Sequence, residues 1–277
     1  MTDPRDRIIV ALDVKSASDA QKLVEQLKPH VGSFKIGLEF ITGTLARMFS
    51  LDEQHALAEY DSSRKLFKTI GEKLFWDGKF KDIPNTVGGA SKPLSLVGVK
   101  MFNVHCDGGS AMMKQAVKDA ESVAHASTVG FRPLILGVTI LTSMEDADLN
   151  ELEAYPQRTI LPIQEGDPGY VAQRVHHLAL LAKECGLDGV VCSPREAAGV
   201  RRLCGSDFLI VTPCIRASDA PPDDQKRTMT PGQAIMAGAD QLVIGRPITG
   251  AKDPVEAAQR TADEIQDAHL QMQKRRG

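Results

Sequence analysis

The densest chemistry in the chain lies in the run Phe75-Trp76-Asp77-Gly78-Lys79-Phe80-Lys81-Asp82-Ile83-Pro84-Asn85-Thr86. Asp77, Lys79 and Asp82 form the pattern D-x-K-x-x-D at the end of an apolar, strand-like segment. Side chains alternate along a strand, so Asp77 and Lys79 point the same way. Asp82 follows where the strand gives way to a loop, just before Ile83-Pro84. A lysine between two carboxylates keeps its charge, and a buried charge is expensive unless it is paired. The pattern therefore reads as a proton donor held in a charged site.

Such a group needs a rigid frame, and the rest of the chain offers one. Apolar runs at 8–14, 33–38, 73–80, 101–106, 133–141, 189–193, 208–215 and 241–248 read as strands. They are continuously apolar rather than half polar, which suits parallel strands buried on both faces. Helical patterns at 18–27, 110–123, 170–185, 195–203, 231–237 and 254–271 lie between them. Ser18 reads as the cap of the first helix. Pro231 and Pro254 suit first helical turns. Strand and helix repeated eight times give a single (β/α)8 TIM barrel, α/β in class, over residues 1–277. A doubly wound sheet is the competing fold, but no G-x-G-x-x-G follows the first strand, which ends Ala11-Leu12-Asp13. Two stretches exceed a minimal barrel. Residues 51–68 read as extra helix with Leu57, Tyr60 and Arg64 at turn spacing, and residues 146–169 read as loop.

Barrel enzymes carry their chemistry at the C-terminal ends of the strands. Read in order, those ends supply Asp13, Lys35, then Asp77, Lys79 and Asp82, then His105 and Asp107, Thr142-Ser143, Ser193, Arg216 and Gly245-Arg246. A glycine and an arginine after the eighth strand match the usual phosphate site of barrels, with backbone N–H groups approaching at Gly245 and Arg246 supplying a fork. Taken singly, the others have plainer readings: Asp13 and Thr142-Ser143 as helix caps, Lys35 as a surface lysine, His105 as a core histidine. Charged groups at the ends of three successive strands are hard to explain as packing.

Composition narrows the class. Hydrophobic residues are 42% and charged residues 25% of 277, as in a soluble globular protein, and the net charge of -3 argues against a nucleic-acid binder. No apolar stretch approaches the roughly 20 residues of a membrane helix, and Met1-Thr2-Asp3-Pro4-Arg5-Asp6-Arg7 shows no signal-peptide apolar region. The five cysteines form no C-x-x-C, so they read as buried small hydrophobes in a reducing cytoplasm. His176-His177 reads as surface.

Across nearly its whole length the chain resembles the orotidine 5′-phosphate decarboxylase family. The resemblance is carried by Ile9-Val10-Ala11-Leu12-Asp13, Phe34-Lys35-Ile36-Gly37, the signature ending Asp82-Ile83-Pro84-Asn85-Thr86-Val87, Val104-His105-Cys106-Asp107-Gly108-Gly109, Thr212-Pro213-Cys214-Ile215-Arg216 and Val243-Ile244-Gly245-Arg246-Pro247-Ile248. Departures are Cys214 where the family has glycine, Gly78 and Lys81 within the signature, and the two long stretches. The resemblance implies conversion of orotidine 5′-phosphate to UMP, the last step of de novo pyrimidine synthesis, without a cofactor or metal. It implies Lys79 as proton donor within a network of Lys35, Asp77, Lys79 and Asp82. Asp13 and Lys35 would contact the ribose and Thr142 would lie near the base. Arg216, Gln225, Gly245 and Arg246 would surround the phosphate, beneath a lid at 217–227. Asp82, Ile83 and Thr86 would reach the partner's site in a cytoplasmic homodimer. Two other readings stay open. One is a metal-dependent sugar-phosphate decarboxylase or aldolase, which would place a glutamate ligand where this chain has Lys35. The other is a non-catalytic nucleotide-binding relative.

Overall fold

The computed structural model describes residues 3–50, 52–124, 130–152, 169–216 and 228–275. Its strands are β1 (Ile8–Ala11), β2 (Ser33–Gly37), β3 (Leu74–Phe80), β4 (Met101–His105), β5 (Leu134–Val138), β6 (Gly189–Val191), β7 (Leu209–Thr212) and β8 (Gln241–Ile244). All neighbours pair in parallel and β8 returns to β1, so the sheet closes into the expected barrel and the doubly wound alternative falls. The helices are α1 (Ala17–Leu27), α2 (Leu38–Met48), α3 (Glu53–Ile70), α4 (Pro84–Val97), α5 (Ser110–Ala124), α6 (Asp146–Leu152), α7 (Tyr170–Glu184), α8 (Ala197–Cys204), α9 (Pro231–Met236), α10 (Arg246–Thr249) and α11 (Pro254–Lys274).

Two apolar layers hold the frame. Outward side chains such as Ile8, Val10, Phe34, Ile36, Phe102 and Val104 pack under the helices. Inward side chains Ile9, Ala11, Phe75, Met101, Leu136 and Val211 fill the barrel floor. Above that floor the inward positions turn polar. The parity of each strand thus buries an apolar plug and lifts a polar layer to the C-terminal mouth.

Local chemistry sets the element ends. Ser16, not Ser18, caps α1, its hydroxyl accepting the Asp19 N–H at 3.1 Å. Asp52 caps α3 through Gln54 and His55, and Thr230 with Gln233 closes a capping box on α9 beside Pro231. Most expected strands run past the real ones. Residues 246–249 leave the barrel as α10, because β8 ends once its inward residue has reached the mouth. The excess at 51–68 is helical as expected, but on the opposite face. Leu57 and Tyr60 are exposed, whereas Glu59, Ser63, Leu66 and Ile70 are buried beside α1 and α2. The stretch 146–169 was expected as loop but opens with α6, whose Asp146 accepts the Val171 N–H at the start of α7; residues 153–168 lie outside the described residues. His176 is half-buried rather than on the surface, because its imidazole packs over the bare Gly199 of α8, while His177 is exposed. All five cysteines are buried thiols outside any disulfide. Among the described residues no helix is long and apolar enough to cross a membrane.

Candidate active site

The polar layer is an alternating chain of charges. Asp13 Oδ1 lies 3.3 Å from Lys35 Nζ, Lys35 Nζ lies 3.1 Å from Asp77 Oδ2, and Lys79 Nζ lies 2.8 Å from Asp77 Oδ1. Three adjacent strands deliver these groups. Gly37 leaves them room, since a Cβ there would stand 2.9 Å from Lys35 Nζ. Asp77 is only 6% exposed. Burial pushes its carboxyl upward, but Lys35, Lys79 and Asn103 together outweigh burial and hold it below the usual carboxylate range. The carboxylate is therefore ionised throughout the neutral range and anchors both ammonium groups.

β3 reaches this arrangement by distortion. Trp76 pairs with Phe102 and Phe80 with Val104, so Asp77, Gly78 and Lys79 stand opposite a single residue, Asn103. Lys79 has φ 47°, in the left-handed region that side chains rarely adopt. Bulges of this kind recur beside active sites, where they re-aim a side chain. Gly78 is required for a different reason. A Cβ there would sit 2.8 Å from both the Trp76 indole nitrogen and the Phe80 ring.

A cleft of ≈560 Å³ opens above the network. Asp13, Lys35, Asp77 and Lys79 line it together with Arg216, Gly245 and Arg246. Thr142 also lines the cleft and accepts the Cys214 thiol at 3.2 Å. Cys214 stands in the left-handed region at φ 63°, which explains why glycine suits this position. The Arg216 N–H donates to the Met229 carbonyl at 3.0 Å, pinning the two ends of the connection that spans 217–227. Gln225 and the expected lid lie outside the described residues. A larger hollow of ≈700 Å³ lies at the opposite mouth, lined by Arg7, Glu72, Lys73, Lys100 and Asp240 among others. Its Lys73 and Lys100 are bound to the Val31 carbonyl and the Ser33 hydroxyl, both at 2.8 Å, and tie strand starts together.

Asp82 does not join the network. β3 ends at Phe80, the chain turns outward into α4, and Asp82 is exposed with Oδ1 accepting the Ile83 N–H at 2.6 Å. Among the described residues Lys79 is thus flanked by one carboxylate rather than two. Ile83 and Thr86 are exposed beside Asp82. His105 is half-buried, 3.6 Å from Asp107, which also binds Lys81 at 2.7 Å. Burial lowers the His105 pKa, so the ring is neutral at neutral pH. Ser193 accepts the Arg195 N–H at 3.3 Å and so closes a turn. Asn103 escaped the sequence reading. Its signal was a lone amide in an apolar strand, at the same parity as Met101 and His105.

Comparison with known proteins places this geometry in a family. The model of the orotidine 5′-phosphate decarboxylase / HUMPS family matches residues 6–261. An orotidine 5′-phosphate decarboxylase of Moorella thermoacetica is 43% identical over 262 residues, 95% of this chain and 93% of the relative. One from Syntrophotalea carbinolica is 43% identical over 96% of this chain and 97% of its own. A crystal structure of orotidine 5′-phosphate decarboxylase from Lactobacillus acidophilus superposes with TM-score 0.70 at 34% identity, covering 93% of this chain and 97% of that one.

Proposed function

Because the chain belongs to the orotidine 5′-phosphate decarboxylase / HUMPS family, we propose that it decarboxylates orotidine 5′-phosphate to UMP, the last step of de novo pyrimidine synthesis, with Lys79 as proton donor and no cofactor. The observation that carries this is the Lys79 ammonium, 2.8 Å from a buried Asp77 carboxylate in a cleft that Arg216 and Arg246 also line. The C6–carboxylate bond breaks, CO2 departs, and the electron pair stays on C6. The Lys79 ammonium stabilises that charge and then transfers its proton to C6. Its position is fixed before the reaction, so little reorganisation is needed when charge develops. Asp77 sits beside the departing carboxylate and holds Lys79. Asp13 and Lys35 take the ribose and Thr142 the base. Arg216, Gly245 and Arg246 take the phosphate, with Gln225 from the connection above.

The metal-dependent alternative is disfavoured by Lys35. Its Nζ already fills the slot between the Asp13 and Asp77 carboxylates, where a metal would need a ligand rather than a cation. The working unit is a cytoplasmic homodimer in which Asp82, Ile83 and Thr86 complete the neighbour's site. The 66% exposure of the apolar Ile83 supports a surface covered by a second copy. The test is the loss of absorbance as orotidine 5′-phosphate becomes UMP, with EDTA present and Lys79→Ala alongside. Metal-independent turnover that vanishes in the variant is expected. UMP binding without turnover would point instead to a non-catalytic relative.

A further inference from the structure

The distorted strand and the charged network meet at Asn103, a side chain with no role in the reaction as described above. Asn103 is fully buried on the inner face of β4. Its amide is used at both ends. Oδ1 accepts the Lys79 backbone N–H at 2.7 Å, and Nδ2 donates to Asp77 Oδ1 at 2.6 Å. That carboxylate oxygen is the one that also binds Lys79 Nζ. A three-point loop results: backbone of Lys79, amide of Asn103, carboxylate of Asp77, and back to the tip of Lys79.

We propose that Asn103 is a positioning residue for the decarboxylation, locking the β3 bulge so that the Lys79 ammonium is aimed at one point in the cleft. The inference rests on Lys79 being the proton donor. Chemistry fixes the orientation of the amide. A backbone N–H only donates, so the amide oxygen must face it, which leaves the NH2 for the carboxylate. Few side chains can do both jobs. Aspartate accepts from Lys79 but, when ionised, has nothing to donate to Asp77. Leucine fills the volume and does neither. Packing alone does not call for an amide here, because the inward neighbours on this strand and the next, Met101 and Leu136, are apolar. Lys79 sits in a left-handed conformation opposite the very residue that grips its N–H, so losing the grip lets the backbone relax and carries Nζ away from its aim.

The test is steady-state kinetics of orotidine 5′-phosphate decarboxylation by wild type, Asn103→Ala and Asn103→Asp across pH, with UMP affinity and thermal melting measured on each. Asn103→Ala is expected to lower kcat about 10- to 100-fold, as a misplaced catalytic group does, with KM and UMP affinity within about 3-fold. Asn103→Asp is nearly the same size and keeps the fold testable if the alanine variant does not. Its new carboxyl meets Asp77 and Lys79 of β3, with Lys35 of β2 paired to that Asp77, and His105 at the end of its own strand beside Asp107 and the Lys81 that follows β3. Beside Asp77, one of the two carboxyls holds its proton more tightly than usual. The protonated pair has a donor again, so kcat of this variant should recover as pH falls and decline as pH rises, while Asn103→Ala shows no such recovery. A purely structural asparagine would lower the melting temperature and leave kcat per folded molecule intact. Asn103→Ala with kcat within about 3-fold of wild type, or Asn103→Asp without recovery at low pH, would overturn the inference while leaving the activity standing. A wild type without turnover would overturn both, since the loop would have no donor to aim.

Discussion

At the scale of single residues, the cleft divides into groups that hold charge and groups that hold shape, and variants should separate them. Arg246 lines the same cleft as Lys79. Binding energy gained there can be realised in the transition state. Arg246→Ala should cut kcat/KM by several kcal/mol, and a loss below about 1 kcal/mol in that ratio would contradict a phosphate-gripping role. Asp77 links the site to stability. Its folded carboxyl lies below the ordinary 3.8, so its contribution is complete above that value and is lost as pH falls through the lower folded value. Urea midpoints of wild type and Asp77→Asn should differ near neutrality and converge as pH drops below 3.8. Cys214 shows shape at a cost. At φ 63° a side chain is strained by about 1–3 kcal/mol, so Cys214→Gly should raise the melting temperature despite losing the thiol contact to Thr142. An unchanged or lower melting temperature would mean that the contact outweighs the strain.

At the scale of elements, most of the barrel was legible because each strand is short, parallel and mostly apolar, and several helices carry a local cap. What hid was helix without local signals. α4 contains Gly88, Gly89 and Pro93, poor helix formers that are tolerated because its inner side packs on the barrel and on α5. α2 follows β2 directly, with Gly37 as its cap and no side chain to announce it. The four charged groups of β1 to β3 were readable from their place at the strand ends. Asn103 was not, because its task depends on a register offset between β3 and β4 that no single segment encodes. Gly78 belongs to the same offset. Gly78→Ala should cost about 1–3 kcal/mol in stability, since the Trp76 and Phe80 rings would have to part to admit a methyl group. A thermal melt that matches wild type would show that the rings move freely.

At the scale of the whole molecule, the exposed Asp82 and Ile83 have a consequence for assembly. If they complete the neighbour's site, then Lys79→Ala and Asp82→Ala damage different halves of one shared centre. Each variant alone should be nearly inactive. After co-refolding in equal amounts, half of the dimers are mixed, and each mixed dimer carries one intact centre. About a quarter of wild-type activity should therefore return. Failure to regain any activity, with dimers present by sedimentation, would place both residues in the same chain's site.

The single tryptophan of the chain, Trp76, lies one residue from Asp77. Its indole stacks on Phe67 of α3 with ring centroids 6.4 Å apart and presses on Gly78. The protein thus carries one indole fluorophore, built into the strand that bears Lys79. Its emission is a direct optical readout of that strand, free of background from other indoles, whenever a ligand enters the cleft or the barrel begins to open.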